Sequence, residues 1–199
     1  MTSAPAPRRG RRPGAPDTRA AILAAAREGF AASGFGRTSV RSIAAAAGVD
    51  AALVHHYFGT KDDLFVASLD LRVDPREAVL PVVAGGPDGV GERLMRLFVS
   101  VWDDPDTRLP MLALLRGVGE PQSQQLLRDG FLRLVLQPVG DALGVDEPAR
   151  RMSHVASQLL GLVVIRYLLE IEPLASLPAE QVVATYAPVL QGYLTGPLP

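Results

Sequence analysis

The 199-residue chain has no cysteine, which removes disulfides, thiolate metal sites and cysteine nucleophiles from consideration. Lysine is almost absent too, Lys61 standing alone against nineteen arginines. Aromatic residues make up 6% of the chain, with a single tryptophan, Trp102. No uninterrupted apolar run approaches the ~18 residues of a membrane span. No apolar signal core follows Arg8, Arg9, Arg11 and Arg12, so a cytoplasmic protein with no membrane partner is expected. What is present, 48% hydrophobic and 21% charged residues, is ordinary for one folded domain or two small ones and lies far from the disordered class.

The net charge of −1 conceals a division in sign. Residues 1–61 hold nine basic side chains against three acidic ones, a balance of +6, and the remainder holds eleven against eighteen, a balance of −7. A compact positive segment joined to a larger negative one points to a polyanion as partner of the first. The plain alternative is a basic tail solvated by water.

Residues 1–16 mix Pro, Gly, Ala and Arg without periodicity and read as a disordered basic arm. Asp17 is a suitable N-cap for a first helix, with Ile22, Leu23, Ala26 and Phe30 on one face and Ser33-Gly34 as its stop. Ser39 offers a cap oxygen to a short helix over 40–47, Gly48 supplies a turn at positive φ, and Asp50 caps a third helix over 51–58. Thr60 caps a fourth, expected to run from 61 to about 73, where Asp74-Pro75 ends it. Residues 81–91 are rich in Gly and Pro and read as a loop. Five helical stretches follow, over 92–102, 109–118, 121–143 with a kink expected at Pro138, 148–170 and 178–194. No strand alternation survives this reading. The expected fold is all-α with about nine helices, a compact N-terminal group over 17–62 followed by a larger helical bundle over 63–199.

Two short helices joined through a tight glycine turn, with a longer helix before them, are the parts of a helix-turn-helix DNA reader. Ala44 and Ala47 allow close crossing, Val49 fills the space beneath the Gly48 turn, and Val54 anchors the second helix inward. Any small helical bundle can hold such a pair, and the charge division favours the DNA reading.

These residues carry a resemblance. Ile22-Leu23-Ala24-Ala25-Ala26, Gly34-Phe35, Thr38-Ser39-Val40-Arg41-Ser42-Ile43-Ala44, Gly48-Val49 and the run from Val54-His55-His56-Tyr57-Phe58 through Gly59-Thr60-Lys61-Asp62-Asp63-Leu64-Phe65 resemble the N-terminal signature of the TetR family of transcriptional regulators. The resemblance spans residues 18–69 without a gap. It implies an all-helical repressor with a three-helix helix-turn-helix DNA-binding domain over 17–62 and a ligand-binding and dimerisation bundle over 63–199, which as a homodimer binds a palindromic operator and releases it when a small molecule enters the C-terminal domain.

Within that frame Ala51 and Ala52, at the start of the recognition helix, would offer methyl groups suited to thymine methyls. Arg41 can reach guanine O6 and N7 bidentately, and it matches a position where the family often reads a base. The family usually has Tyr where this chain has His55, and either ring can meet a phosphate or a base edge. His56 completes the candidate DNA-contacting set beside it. Ser39, Tyr57 and Lys61 are placed for phosphates, although Tyr57 suits a core position equally well. The N-terminal arginines either enter the minor groove or add counterion release.

His55 and His56 are adjacent, which on a helix sets them about 100° apart, whereas helical chelation wants i and i+4. No catalytic triad or phosphate-cradling loop appears, so no enzyme, metal or cofactor is expected. The stretches 148–170 and 178–194 are apolar on more than one face, which asks for burial on more than one face, and the resemblance makes the same pair a homodimer interface. Phe98, Trp102, Met111, Leu115, Phe131, Val135, Met152 and Tyr167 are the candidate lining of an effector pocket, with His154, Gln158 and Arg116 as polar contacts. Plain core is the other reading of those aromatic and Met side chains. Scarce charge among them favours a small apolar effector.

Overall fold

Helix starts in the N-terminal third fall where short polar side chains supply an acceptor for an otherwise unpaired N–H. The computed structural model describes residues 17–70, 74–116, 124 and 136–198, less the side chains of residues 110 and 113–116. Among the described residues there are helices and turns and no strand. α1, Thr18–Arg37, starts on Asp17, whose carboxylate accepts from Arg19 N at 3.1 Å. Its helical path breaks at Gly34, φ 74°, the stop expected from Ser33-Gly34. The buried Thr38 hydroxyl secures that break, lying 2.7 Å from the Gly34 carbonyl oxygen and 2.9 Å from that of Gly29.

α2, Val40–Ala46, carries a capping box between Ser39 and Ser42. Gly48, φ 68°, then turns the chain into α3, Ala51–Phe58, where Asp50 accepts from Ala52 N at 2.7 Å. Thr60 and Asp63 form a second capping box at the start of α4, Lys61–Ser68. The expected extension of this helix to 73 does not occur. Ser68 Oγ donates back to the Phe65 carbonyl at 2.6 Å, Arg27 Nε takes the Ser68 carbonyl at 2.9 Å, and Asp70 adopts φ 57°. Side chains rather than further turns thus satisfy the terminal carbonyls.

The loop expected over 81–91 is shorter than its composition suggests. α5, Pro75–Ala78, and α6, Leu80–Ala84, precede it, with Pro81 in the first turn of α6 where its missing N–H costs nothing. Residues 85–89 remain as loop, gathered by Arg93, which donates to the carbonyls of Val82, Gly86 and Asp88. α7 is Val90–Asp103. α8, Pro105–Arg116, begins before the expected 109, because Asp104 accepts from both Asp106 N and the Thr107 hydroxyl. α9, Gln137–Leu143, has Pro138 in its first turn, and most of the 121–143 stretch lies outside the described residues. α10, Pro148–Leu162, does not run on as α-helix to 170 but widens into a π-helical turn at Val163–Leu168. α11 is Ala179–Thr195, with Pro188 in its interior.

Two apolar clusters result among the described residues. In the first, the rings of Phe30, Phe35 and Phe65 meet at centroid distances of 5.0–5.7 Å, surrounded by Ile22, Ile43, Val54 and Leu64. The second joins α6, α7, α9, α10 and α11 through Met95, Leu136, Val139, Val155, Val182, Leu190 and Leu194. Each such fully buried side chain stabilises by about 1.5–3 kcal/mol relative to exposure. α11 lies along α7 at Gly91, where a Cβ would meet the Ala187 carbonyl oxygen and come within 2.6 Å of Gln191 N. At the far end of α11, the buried guanidinium of Arg151 pairs with Asp146 and donates to the carbonyls of Tyr193 and Gly196, both at 2.9 Å.

Candidate nucleic-acid interface

α3 presents two faces of different chemistry. Val54 is buried and Ala51 and Phe58 pack against the N-terminal core, whereas Ala52, His55 and His56, spaced i, i+3 and i+4, are exposed together. Tyr57 is 43% exposed, which settles its two sequence readings against the core, and its ring meets His56 edge-on at 5.5 Å. Arg41 is exposed on α2. His55 Nδ1 donates to the Gly59 carbonyl at 2.8 Å, a bond that carries its proton on Nδ1 and leaves Nε2 of the neutral ring as an acceptor.

Three candidates stand differently from their sequence reading. Ala51 is turned partly into the core, because it lies three residues before the buried Val54 on the same helical face. The Ser39 oxygen accepts from Ser42 N at 3.0 Å, so it is engaged in the cap. Lys61 is half-buried, its ammonium 4.1 Å from the Phe35 ring centroid and donating to the Phe35 carbonyl, so it ties α4 to the end of α1. Sequence reading missed Arg19, whose guanidinium lies 5.2 Å over the Phe58 ring and brings a cation beside the end of α3. Its place in the basic segment was the available signal.

α4 is tied on both sides. Arg27 reaches the Ser68 carbonyl and pairs with Asp70 at 3.3 Å, and Arg76 of α5 bridges Asp63 at 2.8 Å and Asp74 at 2.7 Å. Hydrogen bonds from Thr60, with Arg76 alongside, hold the Asp63 carboxyl below its usual value, and Arg76 does the same for Asp74.

Comparison with known proteins decides what kind of protein this is. The family model described as tetracyclin repressor-like, C-terminal domain, matches residues 88–194, and that of bacterial regulatory proteins, tetR family, matches residues 22–68. The chain belongs to the TetR family. TetR proteins are helix-turn-helix transcriptional regulators, not enzymes. The HTH-type transcriptional regulator BetI of Agrobacterium fabrum is 31% identical over 184 residues, 86% of each chain. An HTH-type transcriptional repressor of Mycobacterium tuberculosis is 48% identical over 71 residues, 35% of this chain, and the match spans only 38% of that relative's length. A crystal structure of a TetR-family regulator from Streptomyces coelicolor A3 shares 40% identity, covers 93% of this chain and 98% of its own, and superposes with a TM-score of 0.46.

In this TetR chain the candidate effector residues divide. Phe98, Trp102, Met152 and Tyr167 are buried, and Met111 packs against the same cluster. The Leu115 and Arg116 side chains, Phe131 and Val135 lie outside the described residues. His154 stacks on Tyr193 of α11 at 5.2 Å, and Gln158 is half-buried. A polar group that sequence reading did not assemble sits beside the aromatic rings: the Tyr167 hydroxyl donates to Asp103 Oδ1 at 2.9 Å, and Arg166 approaches the same oxygen at 3.4 Å. Burial pushes the Tyr167 phenol up to about 12, with Asp103 adding to the rise and Arg166 opposing it. The signal was an arginine inside the apolar run 159–169, though nothing local named its partner. A groove of about 400 Å³ between α7 and α11, lined by Glu92, Arg96, Glu180, Ala187, Pro188 and Gln191 among others, shares no residue with the candidate pocket. No described helix is long and apolar enough to cross a membrane.

Proposed function

We propose that the chain is a repressor that binds a palindromic operator as a homodimer and releases it when a small molecule enters the C-terminal bundle. The observation that carries this reading is the exposed α2–α3 face bearing Arg41, Ala52, His55, His56 and Tyr57, set on a capped and glycine-turned helix pair within a TetR chain. Arg41 supplies guanine recognition, Ala52 an apolar contact, and His55 Nε2 an acceptor for an exocyclic amine in the major groove. Tyr57, Arg19 and the arginines of residues 1–16 supply phosphate attraction.

Residues 17–62 form the DNA-binding unit and 63–199 the effector and dimerisation unit, with α4 as the link. The second unit dimerises through the 148–170 and 178–194 segments, whose Leu160, Leu169 and Val189 are 39–57% exposed in the single chain. An effector held near Phe98, Trp102, Met152 and Tyr167 prefers one separation of the two heads. It then shifts the population through α4, which Lys61 and Arg27 tie to the head and Arg76 to α5.

Selection of the protein against a randomised duplex pool at about 150 mM salt tests the reading where non-specific phosphate attraction is already screened. The expected result is enrichment of an inverted repeat, with Arg41→Ala costing about 1–3 kcal/mol at one base pair of each half-site. Salt-sensitive binding without enrichment would overturn it.

A further inference from the structure

The π-helical turn Val163–Leu168 brings Arg166 and Tyr167, neighbours in sequence, both into the bundle interior. Such turns recur at functional sites. Arg166 Nη1 donates to the Leu174 carbonyl at 2.7 Å. Nη2 reaches Asp103 Oδ1 only at 3.4 Å, and that oxygen already accepts from the Tyr167 hydroxyl at 2.9 Å. Nε is buried with no hydrogen-bond partner among the described residues. Nε and Nη2 make one straight edge of the guanidinium, so this edge carries one buried donor without a partner and one long bond. An unmet charged donor in the interior calls for an acceptor.

The surroundings limit what that acceptor is. Arg108 lies 5.7 Å and Arg166 5.3 Å from the Tyr167 ring centroid, two cations about one ring with Asp103 as the neighbouring anion. One further negative charge balances the group, and two would face Asp103 uncompensated. Trp102 stacks on Tyr167 at 5.6 Å and Phe98 lies 5.9 Å from Trp102, an apolar wall beside the polar edge.

We propose that Arg166 anchors the effector and that the effector is a small monocarboxylate with an apolar or aromatic body. Its carboxylate accepts from the Nε–Nη2 edge, a planar bidentate match, while the body lies against Phe98 and Trp102. The proposal rests on the effector-controlled reading above and narrows its apolar ligand to an apolar acid.

Trp102 is the chain's single tryptophan, so its emission reports on this site alone. The purified full chain is titrated with benzoate and octanoate, with benzamide and octanamide as uncharged counterparts and phenyl phosphate as a dianion. The expected result is a saturable change in Trp102 emission with an acid at or below about 10 mM, and binding at least about tenfold weaker for its amide and for the dianion. Arg166→Lys keeps the charge and loses the planar edge, and is expected to erase the preference for acid over amide with the helical circular dichroism unchanged. Tyr167→Phe frees Asp103 to turn onto Arg166, and is expected to weaken acid binding although Arg166 is intact, an effect that a merely attractive positive charge would not produce. Equal binding of acids and amides, acid binding undiminished in both variants, or no emission change with either acid overturns the proposal. Adding the selected operator separates it from the reading it rests on. Acid binding at Arg166 without loss of operator affinity retains the site and removes the effector role. Operator release by an uncharged compound alone retains effector control and removes the carboxylate.

Discussion

Every helix of the head, α1 to α4, starts on a side-chain oxygen that accepts a backbone N–H, from Asp17, Ser39, Asp50 and Thr60 in turn, whereas in the bundle α5 and α8 do so, on Asp74 and Asp104, and α6, α7, α9, α10 and α11 start without one. The head's turns lie at Gly34, Gly48 and Gly59, all at positive φ. The bundle instead relies on distant pairings: Gly91 against Ala187, Arg166 with Asp103, Arg151 with the end of α11. The head is thus specified residue by residue, as suits a part that must present a fixed face to a regular duplex. The bundle is specified by packing, which leaves its interior able to differ without disturbing the reader.

If the two regions stand on different supports, each can be weakened separately. The largest effect is expected from Phe65→Ala, which removes one of three mutually contacting rings and costs the head about 3–5 kcal/mol. Operator affinity measured by anisotropy should collapse while the Trp102 unfolding transition of the bundle stays in place. A single shifted transition for both would break the comparison. Next is Gly91→Ala, whose Cβ meets backbone of α11 and cannot be accommodated by a side-chain rotation. It is expected to cost the bundle about 1–3 kcal/mol in urea titrations followed by Trp102. Thr60→Ala should cost the head about 1 kcal/mol through its lost cap, and return the Asp63 carboxyl toward its usual value in an NMR titration. Alkali has the smallest effect near neutrality. Tyr167 folded titrates at about 12 against about 10 unfolded, so its contribution is complete below pH 10 and is lost as pH rises from 10 through 12. Unfolding midpoints read at Trp102 should fall across that window.

The same division governs what could be read from the sequence. Caps and turns are decided by one to three neighbouring residues, so the bounds of α2 and α3 and the break at Gly34 were legible. The end of α4 was not, because Arg27, forty-one residues away, takes the Ser68 carbonyl that another turn would have used. Lys61 lay beyond reach for a similar reason: its partner is Phe35, and only the assembled head brings the two together. In the bundle, the stretch 148–170 has no proline after its first residue and reads as one helix, and nothing in its periodicity marks where α-helix yields to the wider turn that seats Arg166. Asp103, sixty-three residues from Arg166, carried no local sign of being its neighbour.

Arg151 gives α11 a direction in which to come apart. Helices ordinarily loosen from both ends, where backbone groups lack partners within the helix. At the C-terminal end of α11 a buried cation holds the Tyr193 and Gly196 carbonyls and is itself held by Asp146, so that end opens only together with the start of α10. Unwinding is left to begin at the Pro178 end, which has no side-chain cap. The segment proposed for the dimer contact is in this way pinned at one end and yielding at the other.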